Sequence, residues 1–314
     1  MSNAKIYEVI TNKMVERIET AIKNKERFTW VKPWKGYPLG NYLNYLKDGE
    51  NMREYRGVNR ILLDGGLYLT MNQVNQLEKK DKKTYKIKKG CHRETVYFYK
   101  QRIVDKRDKD GNILLDEDGN PIKERYFMMR FYNVFNVNDI EGLDVKLNLE
   151  ETVYDETVLT KAADILIKDF AKRTKLKFTV KKGSDRAYYS PMNHEVVVPD
   201  KSQFKCIEEY YSTVFHELIH STGKELGRDM GDKFGSEKYS FEELVAELGS
   251  AFIMQSIGFD TDKTEKNSAA YLKGWLKKLK EDVSFIVKAS NQAQKASDLF
   301  FNVQFEVNAE DEAA

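Results

Sequence analysis

Histidine is scarce in this 314-residue chain, and two of its four copies stand four residues apart in the run YYSTVFHELIHSTG. His216 and His220 bracket Glu217 in the pattern His-Glu-x-x-His. On a helix, residues four apart stack on one face about 6 Å from each other, so two neutral imidazoles can share one divalent ion. Glu217, one residue further round, is placed to take a proton from a water beside that ion. Ile207, Tyr210, Tyr211, Val214, Phe215, Leu218 and Ile219 predict a helix buried on its other faces, and Gly223 predicts its end. So short a pattern also arises by chance, but a chain that spends half of its histidines on it argues for a metal centre.

A hydrolytic metal site needs a third protein ligand and an open position. The run SFEELVAELGSAFIM, residues 240–254, offers a second helix with Glu243 and Glu247 on one stripe beside the small residues Ala246 and Gly249. Ser240 followed by Glu243 also reads as a capping box, which would make Glu243 a helix-start residue instead. ELVAELG resembles the third-ligand helix of the gluzincin metallopeptidases. That resemblance implies Glu243 as the ligand and Glu247 as the acid that hydrogen-bonds a ligand histidine. The family usually has Asp at the second position, so the two glutamates could exchange roles. Zinc is the expected ion, with manganese or cobalt admissible for the same donors.

The elements that must hold these residues divide by charge. Residues 1–150 hold 29 Lys+Arg against 22 Asp+Glu, and residues 151–314 hold 23 against 28, so the first part suits a polyanion. Apolar spacing predicts a helix over residues 5–25, followed by irregular loops through FTWVKPWKGYPLGNYLNYL. A helix over 70–80 and strands over 95–100 and 125–137 come next. Asp110-Gly111 and Asp118-Gly119 predict tight turns between those strands. Lys106 stands where a calcium loop would need its first acid, so DKDG is read as turn chemistry. Residues 140–155 are the expected linker. A helix over 157–173, strands at FTVKKG and HEVVVP, and helices from 204 to 300 complete the pattern. AYYSPMNHEVVVP, residues 187–199, is the candidate edge strand for a peptide, and GKELGRDMGDKFG, residues 223–235, is read as a mobile rim. His92 and His194 have no ligand pattern. Cys91 and Cys206 fit unpaired thiols in a reducing compartment. Without an apolar run of about 20 residues or a signal-peptide pattern, the expected location is cytoplasmic, with no membrane partner.

The segments WVKPW, YRGVN, RFYNVFNVNDIEGL, AYYSP, HELIHSTG, YSFEELVAELGSAF, NSAAYLKGWLKKLK and NQAQKASD together resemble, in order, the ArdC-like antirestriction proteins. The resemblance spans nearly the whole chain and is weakest over residues 102–124, which read as an insertion. It implies an α+β protein with a mixed α/β, single-stranded-DNA-binding domain over residues 1–145. A mostly helical, zincin-like (gluzincin-type) metallopeptidase domain with a small sheet would follow over 146–314. It further implies a protein of a mobile element, plasmid or phage, that protects incoming DNA from restriction. Basic and aromatic residues then become DNA candidates: Trp30, Trp34, Tyr55, Arg56, Asn59 and Arg60, with Lys32, Lys35, Lys86, Lys88 and Lys89 on phosphates. Tyr271 is a candidate oxyanion stabiliser. Two other readings stay open: a single-strand shield whose metal site is structural or nearly inactive, and a peptidase that cuts a regulator of the element. Either peptidase reading requires a protein or peptide substrate that the sequence does not specify.

Overall fold

The computed structural model describes residues 3–26, 28–31, 39–49, 52–145, 155–230, 237–264 and 269–303. In chain order the first part runs α1 (Asn3–Asn24), β1 (Leu39–Asn41), α2 (Tyr42–Asp48), α3 (Val58–Leu62), β2 (Gly66–Thr70), α4 (Met71–Asp81), β3 (Lys86–Ile87), β4 (Glu94–Asp105), β5 (Lys123–Asn136) and β6 (Ile140–Glu141). The second runs α5 (Glu156–Thr174), β7 (Lys177–Lys181), β8 (Tyr188–Ser190), β9 (Glu195–Pro199), α6 (Ile207–Ser221), α7 (Glu237–Ile257), α8 (Ala269–Glu281) and α9 (Phe285–Phe301). This is an α+β arrangement, as expected.

A four-stranded sheet of order β1-β2-β5-β4 organises the first part, parallel between β1 and β2 and antiparallel elsewhere. β4 runs on to Asp105, beyond the expected end at 100, because its pairing with β5 continues unbroken from Glu94–Val134 to Asp105–Lys123. Past it the Asp-Gly segments fold as turns, with Asp108 and Asp116 each accepting from backbone N–H groups two and four residues on. The aromatic stretch expected to be irregular contains β1 and α2 instead. Asn41 starts α2 by accepting from the N–H groups of Leu43 and Asn44, a cap hidden by the glycines and tyrosines around it.

The second part places a small sheet of order β7-β9-β8 against α6, which in turn packs on α7 and α9. The Val196-Val197-Val198 run of β9 is buried in the middle of that sheet. The expected edge strand thus splits in two: β8 lies on the edge, and β9 is central. His194, between them, bonds Tyr189 Oη through Nδ1 at 3.0 Å and the Thr174 carbonyl through Nε2 at 3.0 Å, so it closes a turn.

One hydrophobic core runs through both parts. Ile6, Ile10, Met14 and Ile18 of α1 belong to the same buried cluster as Phe215, Leu218, Phe252, Leu272, Trp275 and Phe300 of the C-terminal helices. Trp30 joins it, edge-on to Trp275 with ring centroids 5.4 Å apart. The YRGVN segment forms the polar seam beside this core. Arg56 pairs with Asp298, the Gly57 N–H donates to Gln294 Oε1, and Asn59 exchanges two hydrogen bonds with the backbone of Tyr97. Arg60 is 4% exposed and reaches into α7. It donates to the Phe252 carbonyl, Gln255 Oε1 and Ser256 Oγ, and its guanidinium sits 4.6 Å over the Phe252 ring. Burial pulls its pKa down to about 10.

These contacts correct part of the DNA-binding expectation. Trp30, Asn59 and Arg60 are fixed inside the fold and offer no face to a nucleotide in this structure. Tyr55 is 8% exposed, packed among Tyr68 and Phe98, and burial raises its pKa. Arg56 is committed to Asp298. Lys86, Lys88 and Lys89 are exposed, and Lys88 donates to the Asn138 carbonyl. Lys32, Trp34 and Lys35 lie outside the described residues. Among the described residues no helix is long and apolar enough to cross a membrane.

The seam makes a measurable contribution. Arg60→Met strips α7 of a buried donor and leaves Gln255 and the Phe252 carbonyl without their partner, so unfolding in urea loses about 2–4 kcal/mol. A loss below about 1 kcal/mol would show that this contact is dispensable.

Candidate metal centre

Local sequence explains why α6 presents its histidines. Val214, Phe215, Leu218 and Ile219 are fully buried, which turns the intervening stripe of His216 and His220 toward α7. After Ser221 the helix stops: the Thr222 N–H bonds the Ile219 carbonyl, and the Gly223 N–H bonds the His220 carbonyl. α7 is already helical at Glu237, three residues before Ser240. Ser240 is therefore interior, and the capping-box reading of Glu243 is overturned. The two helices meet closely at Gly249, where a Cβ would stand 2.7 Å from Ile219 Cδ1 and 2.8 Å from its Cγ1. Ser250 Oγ also donates to the Ser212 carbonyl at 2.8 Å, a second stitch between them.

That approach brings three donors together. His216 Nε2 and His220 Nε2 are 3.1 Å apart, and each Glu243 carboxylate oxygen lies 3.6 Å from one of them. Ligand distances of about 2.1 Å around a tetrahedral ion imply donor separations of about 3.4 Å, so the donor set fits a divalent cation in chemistry and in size. Each imidazole is anchored at its other nitrogen. His220 Nδ1 meets Glu242 Oε1 at 3.1 Å, and His216 Nδ1 meets Glu247 Oε1 at 3.4 Å. Carboxylates in those places fix the tautomer that leaves Nε2 available to an ion. Glu217 is partly buried, one residue on from His216.

Glu242 is the residue the sequence reading missed. It is 2% exposed, and both of its oxygens are claimed, since Arg228 donates from Nε to Oε2 at 2.9 Å and from Nη2 to Oε1 at 2.8 Å. Burial alone would raise its pKa, but Arg228 and His220 outweigh that and hold it below the ordinary value. Glu243 is also kept low against burial, chiefly by His216. Burial disfavours charge on His216, yet Glu243 and Glu247 outweigh it and lift its pKa well above 6.5. No local signal pointed to Glu242, because its role rests on where Arg228 folds, 14 residues before it in the chain. Arg228 also bonds Thr222 Oγ1 and the Ile219 carbonyl, so the segment expected to form the rim is tied to the centre at this residue. Residues 231–236 lie outside the described residues, as does the side chain of Tyr271, whose backbone falls in α8.

Comparison with known proteins agrees with this geometry. Residues 167–292 match the zincin-like metallopeptidase family MPTase-PolyVal, and residues 4–135 match the N-terminal domain of the anti-restriction factor ArdC. The solved antirestriction ArdC protein of plasmid R388 superposes with a TM-score of 0.63 in its metal-free form, at 27% identity over 95% of this chain and 99% of that one. Its Mn(II)-bound form gives a TM-score of 0.62, at 26% identity over 94% and 97%. A DNA primase TraC of Escherichia coli is 29% identical over 93% of this chain, which spans 19% of the primase's length. The uncharacterized protein y4eC of Sinorhizobium fredii is 28% identical over 93% of this chain and 90% of its own length.

The fold and the site thus define a protein with a zincin-like metallopeptidase domain, whose two imidazoles and one carboxylate imply a divalent metal. With a segment matching the N-terminal domain of the anti-restriction factor ArdC ahead of it, the chain is an ArdC-like protein.

Two substitutions test the centre. Glu242→Gln keeps the shape but loses the charge on His220, so metal affinity in a chelator competition falls about 10–100-fold. Gly249→Ala drives α6 from α7, costing about 1–3 kcal/mol of stability because Ile219 has no room to move, and it weakens metal binding in the same assay. Unchanged affinity in both variants would show that neither contact shapes the site.

Proposed function

We propose that this protein counters restriction as a metal-dependent peptidase carried on a single-stranded-DNA-binding domain. The observation that carries the reading is the His216–His220–Glu243 donor set with a carboxylate behind each imidazole. Zinc is the proposed ion, and the Mn(II) bound by the plasmid R388 relative supports manganese as an alternative for the same donors.

When bound, the ion supplies Lewis acidity, lowering the pKa of a water toward neutrality and polarising the scissile carbonyl. His216 and His220 hold it through Nε2, aimed by Glu247 and Glu242. Glu243 is the third ligand. Glu217 takes the proton from the attacking water and passes it to the leaving amine. A substrate peptide lies along β8, the edge strand of the small sheet that packs near α6. The basic first part of the chain holds the DNA, so that hydrolysis takes place beside it. Tyr271 is kept as the proposed oxyanion donor.

Glu217→Gln separates this reading from its rivals, because it removes the base and leaves the donor set intact. Metal content and single-strand affinity stay at parental values, hydrolysis of a peptide library falls by at least about 100-fold, and protection of incoming DNA in a transfer assay is lost. Full protection by the variant would show instead that the protein shields DNA without hydrolysis.

A further inference from the structure

The hairpin of β4 and β5 has two unlike faces. Pairing sets Val96 opposite Tyr132, Phe98 opposite Arg130, Lys100 opposite Met128 and Arg102 opposite Tyr126, and the alternation of a strand puts all eight on one face. Residues on the other face tie the hairpin down: Tyr97 and Tyr99 pack against the core that α1 shares, the Tyr99 hydroxyl meets that of Tyr7 at 2.8 Å, and Met129 is 2% exposed in that core. At its root the first face is also buried, with Val96 and Val134 packed among Tyr55 and Tyr68.

Beyond the root that face comes out to solvent. Phe98, Tyr126 and Tyr132 are 37%, 40% and 38% exposed, and Arg102 and Arg130 are exposed beside them. Phe98 and Tyr132 stand 6.0 Å apart, and Phe98 leans on the buried Tyr55 at 6.1 Å, so these two rings are braced by a buried one. Rings and guanidiniums therefore share a sheet face that is backed by the core as far out as Tyr99 and Met129. Large aromatic faces left in water at regular spacing mark a binding surface, and the cations among them select an anionic partner. A duplex hides the faces of its bases, whereas a single strand offers bases to stack on rings and phosphates to pair with arginines.

Resting on the reading that the first part of this chain binds single strands, we propose that this face of the hairpin, with Phe98, Arg102, Tyr126, Arg130 and Tyr132, is the stacking platform for the DNA. It takes the place of the WVKPW and YRGVN residues named from the sequence, several of which are buried. The bases lie on the rings, and Arg102 and Arg130 take the phosphates.

The test uses the full chain and a labelled oligothymidylate, alone and annealed to its oligoadenylate complement, followed by fluorescence anisotropy across a salt series. Tyr126→Ala with Tyr132→Ala weakens single-strand binding by roughly 5-fold or more for each ring. Arg102→Gln with Arg130→Gln weakens it and flattens the logarithmic salt dependence by about 1.4, at about 0.7 for each phosphate contact on a single strand. These positions are exposed, so thermal melting of both variants matches the parent. Parental affinity and salt slope in both variants, when the parent binds, would overturn the platform and leave the single-strand reading standing. A parent that binds neither form, or prefers the duplex, would overturn that reading and the platform with it.

Discussion

The metal centre depends on how closely α6 and α7 approach, and that distance is set by the missing side chain at Gly249. Ile219 fills the space a Cβ would take there and is itself completely buried, so the two helices have no slack between them. Glu243 lies on the same helix, six residues before that contact, and its carboxylate spans both imidazoles of α6. Rigid secondary structure converts the contact into the position of a ligand. The termini matter as well. Gly258, at a φ of +97°, ends α7 by letting its own N–H and that of Phe259 turn back to the Met254 carbonyl.

Electrostatics decide what the centre can hold. Three glutamates crowd two imidazoles, and one of them, Glu242, is paired with Arg228. Arg228 offsets the charge of Glu242, so that carboxylate is free to orient His220 and is no competitor for the ion. Glu243 and Glu247 place further negative charge around His216, which favours a cation between the rings. Burying so many charges is tolerable only when each is paired or hydrogen-bonded, and the short connection after α6 supplies the pairing by bending Arg228 back onto the helix that precedes it.

How much of this was legible in the sequence follows from how local each feature is. His216, Glu217 and His220 lie within one helical turn and a half, so their spacing alone predicted a shared face. The pairing of Glu243 and Glu247 was legible for the same reason, and the structure assigns them different contacts. Glu242 was not legible, since its role depends on which way α7 faces α6 and on where Arg228 folds. The aromatic and basic residues of the first part misled because composition does not distinguish a ring braced in a core from one left in water. Trp30 meets Trp275, and Arg60 meets Phe252, across more than 190 residues of chain. The Asp-Gly turns, the long helices and the C-terminal strands were read correctly because turn chemistry and apolar periodicity are carried by neighbouring residues. α2 was missed because its single signal, the Asn41 cap, sits among residues typical of loops.

The shared core gives the two parts a common mechanical frame, with α1 packed among the C-terminal helices and Arg60 gripping the end of the helix that carries Glu243. The central claim, that His216, His220 and Glu243 form one metal-binding centre, is tested most directly by anomalous diffraction from crystals of metal-loaded protein, recorded on both sides of the metal's absorption edge. The account predicts a single peak in ligand contact with Nε2 of both histidines and with the Glu243 carboxylate. A peak at another site, or no peak between the imidazoles at stoichiometric loading, would contradict it.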